Sequence, residues 1–264
     1  MSLSNVPAPT CHGWLVREEG DVALLLTGDL SSDHDRPELP VPLDILERII
    51  EAIARVHAAC WDGEILADER FASPMPRPTR MPQAVPAGVI RANAATIREL
   101  IKQFLIAHDQ ELSPFEKRLL ASLADHWGEL FLERVRDRHS LTLIHGDLHL
   151  LGNVFVHRES GAIRFIDWAD AKPGLGPHDI AYCLISADTA DRMARDMGLL
   201  RRYHGRLGEL GITAYPWALC LWDYRFAVLT NLLQCVLQDS LGWLRRTSAI
   251  AAVWDCDRLL GDLD

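Results

Sequence analysis

Ile144-His145-Gly146-Asp147-Leu148-His149-Leu150-Leu151-Gly152-Asn153, followed by Ile166-Asp167-Trp168, is the stretch on which the reading of this chain turns. Around it lie three short apolar runs, 141–144 (Leu-Thr-Leu-Ile), 154–156 (Val-Phe-Val) and 163–166 (Ile-Arg-Phe-Ile). The last two are joined by a polar turn at Arg158 to Gly161, so a strand followed by a hairpin is predicted. Two acids and an amide displayed at the edges of such strands can converge on one point. Phosphoryl transfer needs such a meeting: one carboxylate to orient an attacking hydroxyl and accept its proton, plus oxygen ligands for Mg²⁺. Magnesium retains waters and prefers hard oxygen donors, so an Asn and an Asp suffice when nucleotide phosphates complete the shell.

Working outward, residues 14–17 and 22–27 flank Glu18-Glu19-Gly20-Asp21 and are predicted to form a β-hairpin, which runs into Gly28-Asp29-Leu30. From Pro42 to Cys60 the apolar residues Leu43, Leu46, Ile49, Ile50, Ile53 and Val56 follow the three-and-four spacing of an amphipathic helix. Prolines at 74, 76, 78, 82 and 86 exclude a helix there and leave a connector or a lid. Helices are predicted again over 89–107 and from Ser113-Pro114-Phe115-Glu116, a capping box with proline in the first turn, to about residue 135. Beyond Asp179 the pattern is helical to the end, with an apolar stripe at Trp222, Phe226, Leu229, Leu233, Val236 and Leu237. Helices dominate and a few strands carry the polar cluster, an α+β arrangement.

Composition narrows the partners. The 264 residues are 48% hydrophobic and 24% charged with a formal net charge of −10, which excludes disordered and disulfide-dense classes. Net acidity argues against nucleic acid as a partner. The six cysteines contain no CxxC pair and read as small buried hydrophobes in a reducing cytosol. The start, MSLSNVPAPT, lacks signal-peptide features, and the most apolar window, 217–237, contains Asp223, Arg225 and Gln234, too polar for a lipid-facing span. A cytoplasmic protein with no membrane partner is expected. Only three of the 27 basic residues are lysines, Lys102, Lys117 and Lys172, and none precedes position 102.

The chain resembles the aminoglycoside phosphotransferase and choline-kinase-like group, within the protein-kinase-like fold. The matching pieces are His145-Gly146-Asp147-Leu148-His149 with Asn153, Ile166-Asp167-Trp168, and Gly176-Pro177-His178-Asp179-Ile180-Ala181. Weaker matches are Leu24 to Leu30, similar to the hinge, and Ala54-Arg55-Val56-His57-Ala58 with Trp61, similar to the helix after it. The resemblance implies residues 1–30 as a remnant of the N-terminal lobe and hinge, and 31–264 as a helical C-terminal lobe. It implies Asp147 as the catalytic base and Asn153 and Asp167 as the Mg²⁺ ligands. The backbone at Thr27, Gly28 and Asp29 is then expected to meet the adenine of ATP or another nucleoside triphosphate. His145, His149 and Asp179 are implied as structural support, with Asp179 also capping the helix after it. The acceptor is expected to be a hydroxyl on a small molecule of aminoglycoside, amino-alcohol or sugar type. Asp188, Asp191, Asp196 and Asp223 are candidates for recognising a cationic one.

Two departures stand out. The family places its metal-binding Asn five residues after the base, whereas Asp147 and Asn153 are six apart, so a one-residue bulge eased by Gly152 is expected. The family also carries a glycine-rich turn, a phosphate-anchoring lysine and its Glu partner before the hinge, and the residues before Gly28 contain no lysine and no glycine-rich turn. Neutralisation of the β- and γ-phosphates then falls to the metal alone and weak activity is expected. A degenerate kinase-like binding module stays open. A metallophosphoesterase, suggested by Gly146-Asp147-Leu148-His149, lacks its second ligand block.

Overall fold

The computed structural model describes residues 6–16, 23–67, 87–137, 139–187 and 192–261. The connector prolines and the acids Asp188 and Asp191 lie outside the described residues. Strands β1 (Cys11–Val16) and β2 (Ala23–Thr27) pair antiparallel with Trp14 opposite Leu25. Among the described residues this hairpin stays two-stranded. Both its faces are apolar and open: Trp14 is 75% and Leu25 65% exposed, and Leu15 and Leu26 on the other face are exposed as well.

A short strand β3 (His34–Asp35) follows and joins β5 (Val154–His157) and β6 (Ile163–Phe165) in a three-stranded antiparallel sheet of order β3-β5-β6. Arg158, at the β5–β6 turn, fastens residues 31–35: it donates to both carboxylate oxygens of Asp35 and to the main-chain oxygens of Ser31 and Ser32. Strand β4 (Thr142–Ile144) pairs antiparallel with β7 (Lys172–Gly174). The Lys-Pro-Gly composition of β7 carries no strand signal, and its existence is a tertiary decision.

The helices account for most of the core. In α1 (Leu43–Cys60) the stripe of Leu46, Ile49, Ile50, Ile53 and Val56 is buried, while Leu43 is 51% exposed and stands outside it. Next come α2 (Ala87–Ala107) and α3 (Pro114–Val135), which pack on each other. The expected capping box starts α3: Ser113 Oγ accepts from the Glu116 N–H at 3.2 Å, and Glu116 Oε2 accepts from the Ser113 N–H at 2.7 Å. A single turn, α4 (Leu150–Asn153), sits inside the polar cluster. Then follow α5 (Pro177–Ser186), α6 (Arg192–Glu209), α7 (Trp217–Leu237) and α8 (Leu241–Val253). Helix α7 packs on α5 and α8 and buries Phe226, Leu229 and Leu233, which explains its apolar sequence by a protein core. Among the described residues no helix is long and apolar enough to cross a membrane.

One buried ion pair ties α3 to α7. Arg134 donates from Nη2 to Asp223 Oδ2 at 2.8 Å and from Nε to Oδ1, and Asp223 is fully buried. The same guanidinium donates to the main-chain oxygens of His139 and Ser140, and Asp62 accepts from the N–H groups of Ser140 and Leu141. The chain is thereby held where it enters β4. Five cysteines are buried, Cys11 is exposed, and all six are free thiols.

Candidate active site

Strand pairing brings the polar cluster together. In the β5–β6 hairpin Val154 lies opposite Phe165, and the Ile166 N–H donates to the Asn153 oxygen at 3.0 Å. Asn153 and Asp167 therefore leave the sheet at the same end. The His145 Nε2 contacts the Ile166 oxygen at 2.8 Å, and its Nδ1 accepts from the Asp147 N–H at 3.3 Å. These two bonds require the neutral imidazole with its proton on Nε2. His145 is fully buried, with Trp168 against it at 4.6 Å between ring centroids. The Trp168 indole in turn donates to the Phe165 oxygen at 3.1 Å.

The six-residue interval is closed by the α4 turn. The N–H of Asn153 donates to the His149 oxygen at 2.9 Å, and His149 Nδ1 caps the turn by accepting from the Gly152 N–H at 3.2 Å. The extra residue is thus taken up by helical winding; Gly152 does not use the left-handed conformation expected of a glycine bulge. Asn153 reaches back to the loop, and its Nδ2 donates to the Asp147 main-chain oxygen at 2.7 Å and to Asp147 Oδ2 at 3.0 Å. With Nδ2 so engaged, the oxygen Oδ1 is the end left for a cation. Asp167 is exposed and sits in the left-handed conformation at φ 59°. Two hard oxygen donors on adjacent strand ends suit Mg²⁺, which draws its remaining ligands from water and phosphate. Among the described residues there is no cluster of three or more His, Cys, Asp or Glu side chains able to hold a metal, as a phosphoesterase centre requires.

Asp179 holds the loop from beneath. Its carboxylate accepts from the N–H of His145 at 2.7 Å, from the N–H of Gly146 at 2.9 Å and from His57 Nε2 at 3.1 Å. His57 is a satisfied core histidine whose Nδ1 pairs with the Tyr203 hydroxyl at 2.8 Å. Burial opposes ionisation of Asp179, but the hydrogen bond from His57 prevails and holds its carboxyl down at about 2. The expected capping role is corrected: Gly176 is the N-cap of α5, no side chain caps it, and Asp179 lies inside the first turn. The Asp179 carboxylate is instead engaged by the two loop N–H groups and the His57 imidazole.

Gly146, at φ 83°, is closely surrounded. A Cβ there would overlap the Asp170 main-chain oxygen and come within 3.0 Å of Lys172 Nζ. His178, buried next to Asp179, is pushed down to about 4, chiefly by burial and next by the charge of Lys172.

Sequence reasoning missed the aromatic residues beside the cluster. The Tyr182 phenol lies near the Asp147 side chain, and burial, followed by the Asp147 charge, raises its pKa far above the usual value. Trp243, on α8, stacks on His149 at 5.6 Å and meets Tyr182 at 5.4 Å. Burial depresses the His149 pKa, and Arg246 adds to the effect while Asp147 opposes it. The spacing of Tyr182 three residues after Asp179, on the same helix face, was the available signal; Trp243 had none.

The expected hinge groups keep local contacts, and the expected acceptor acids Asp196 and Asp223 are buried. The Gly28 N–H is already bonded to the Thr10 oxygen at 2.8 Å, and Asp29 Oδ1 accepts from the Ser31 N–H at 2.8 Å. Thr27 ends β2. Asp223 is buried against Arg134 and Tyr215, and Asp196 is buried against Arg195, so neither is displayed to a ligand.

Residues 2–217 match the model of the phosphotransferase enzyme family. The chain belongs to that family. Among solved structures, this phosphotransferase is similar to the aminoglycoside phosphotransferase APH(3'')-Id of Streptomyces rimosus in complex with ADP and streptomycin. The TM-score is 0.50 at 19% identity, over 86% of this chain and 76% of that one. It is also similar to a glucosamine kinase in complex with glucosamine, ADP and inorganic phosphate, with a TM-score of 0.55 at 16% identity over 93% of this chain and 64% of that one. An ethanolamine kinase of Plasmodium vivax gives a TM-score of 0.50 at 13% identity over 98% of this chain and 70% of that one. At these identities the likeness is one of fold. No curated relative matches the phosphotransferase.

Proposed function

We propose that this phosphotransferase moves the γ-phosphate of ATP, or of another nucleoside triphosphate, to a hydroxyl of a small molecule in a Mg²⁺-dependent reaction. The observation that supports it most is the double hydrogen bond from Asn153 Nδ2 to the main chain and carboxylate of Asp147, formed where Asp167 leaves the neighbouring strand. A base and two oxygen donors share one rigid corner. Asp147 would orient the acceptor hydroxyl and take its proton. Oδ1 of Asn153 and the Asp167 carboxylate would hold the metal. Mg²⁺ supplies charge neutralisation at the phosphate oxygens.

His145, Asp179 and His57 keep the loop backbone in place, and Tyr182 would stand beside the Asp147 carboxylate. Since the Gly28 N–H is engaged, the adenine edge would fall to the other main-chain groups of residues 27–29. Aminoglycosides, amino alcohols and amino sugars are the acceptors to test first, since the similar structures hold streptomycin and glucosamine or are named for ethanolamine. The cytoplasm is the compartment that reduced thiols fit.

Titration of fluorescent mant-ATP with Mg²⁺, followed by an acceptor panel with Asp147→Asn as control, tests the reading. Nucleotide binding with turnover that the substitution abolishes is the expected result. Absence of nucleotide binding overturns it; binding without turnover across the panel favours a non-catalytic module.

A further inference from the structure

Lys172 is one of three lysines in the chain and is 3% exposed. The other two lie on the α2–α3 pair, where Lys102 is exposed and Lys117 binds Asp109 at 2.6 Å. Lys172 belongs to β7, and the β4–β7 register sets it opposite Ile144, the residue before His145. Its side chain runs to the catalytic loop: a Cβ built on Gly146 would meet Lys172 Nζ at 3.0 Å and Cε at 3.1 Å. The ammonium therefore lies against the residue between His145 and the proposed base. In protein kinases an arginine stands between that histidine and aspartate. Here the position is glycine and cannot carry charge, and the cation reaches the same place from another strand.

A buried ammonium is costly unless its surroundings are negative. Asp147 follows Gly146 directly, and the Asp170 main-chain oxygen lies at the same point of Gly146 as the ammonium. Asp167 and Asp170 precede Lys172 in one short segment that reaches the loop through the β4–β7 pair. The charge of Lys172 also reaches His178, on the far side of Gly146.

We propose that Lys172 is a positioning residue for phosphoryl transfer: its ammonium braces the Gly146–Asp147 turn against residues 167–172 and offsets the negative charge of Asp147, Asp167 and Asp170. The inference rests on the phosphotransferase reading above. It gives this chain an internal cation at the site. Lys172 is not expected to touch substrate.

Removing a cation beside the Gly146–Asp147 turn should tighten divalent-ion binding, while releasing the turn should slow turnover. Mn²⁺ binding to the full chain in the presence of ADP, followed by water proton relaxation, reads the first effect. Lys172→Met and Lys172→Gln should each bind Mn²⁺ about three- to tenfold more tightly than the wild type, given an unscreened unit charge at close range. They should lose about tenfold or more in kcat, with the acceptor KM within about twofold. Lys172→Arg should keep the wild-type Mn²⁺ affinity within about twofold. A purely structural role would lower the melting temperature without tightening the metal.

Folded Met and Gln variants with wild-type Mn²⁺ affinity overturn the proposal. If neither neutral variant folds, Lys172→Arg decides: retained Mn²⁺ affinity supports the charge role, and a change beyond about threefold overturns it. A wild type that binds no Mn²⁺ with ADP refutes the phosphotransferase reading itself, which separates the two failures.

Discussion

Asn153 and Asp147 form one unit: a single amide nitrogen donates to both the main-chain oxygen and the carboxylate of the aspartate, at 2.7 and 3.0 Å. The proposed base cannot rotate without breaking the contact that aims the proposed metal ligand. Asn153→Asp replaces the donor by a second carboxylate beside Asp147. The like charges then repel across a mostly buried contact, and kcat should fall by about 10²-fold or more with loss of metal binding. Steady-state kinetics with Mn²⁺ titration checks this, and near-normal turnover in the variant would refute the unit.

Gly146→Ala tests the crowding of the loop. The new methyl would overlap the Asp170 oxygen in a backbone conformation at φ 83° that side chains rarely adopt. A cost of about 1–3 kcal/mol in stability is expected, together with displacement of Asp147 and loss of turnover. Denaturant unfolding and an acceptor assay on the same preparation measure both parts. A variant with unchanged midpoint and activity would show that the loop yields freely.

Asp179→Ala removes the acceptor of two loop N–H groups and leaves them buried with His57. The expected loss is about 3–5 kcal/mol, comparable to breaking a buried charged network. Thermal unfolding should show it even without any substrate. A melting temperature equal to that of the wild type would mean that the loop is held by other contacts.

Acid should destabilise the fold in two stages. His178 titrates near 4 in the fold and near its ordinary 6.5 when unfolded. As pH falls from 6.5 to 4 the unfolded chain gains a proton that the folded one refuses, so stability that is complete above pH 6.5 is lost by about 3 kcal/mol. Asp179 is ionised in the fold down to about 2 and adds a further loss as pH drops below its ordinary 3.8. Melting temperatures between pH 7.5 and 4.5 should slope downward, and His178→Gln should flatten that slope. An unaltered slope in the variant would assign it elsewhere.

Local patterns carried far in this chain. The stripe of α1, the capping box at Ser113 and the β5–β6 hairpin arise from contacts within a few residues, and each stands where periodicity or turn chemistry sets it. Leu43, the first residue of α1, is the exception and is half exposed. The cation-recognising acids failed for the opposite reason: Asp196 and Asp223 look like surface charges in sequence, but folding buries both, Asp196 with its neighbour Arg195 and Asp223 with Arg134 from 89 positions away.

What the sequence alone determined is the identity and order of the polar cluster, since Asp147, Asn153 and Asp167 stand on strand ends and a hairpin whose signals are local. Only the tertiary structure decided how that cluster is supported and charged. The placement of Tyr182 beside Asp147, the stacking of Trp243 on His149 and the arrival of Lys172 at Gly146 are all pairings between segments. Their free energy comes from burial and from polar groups that must find partners once water is excluded, and neither exists until the chain has folded.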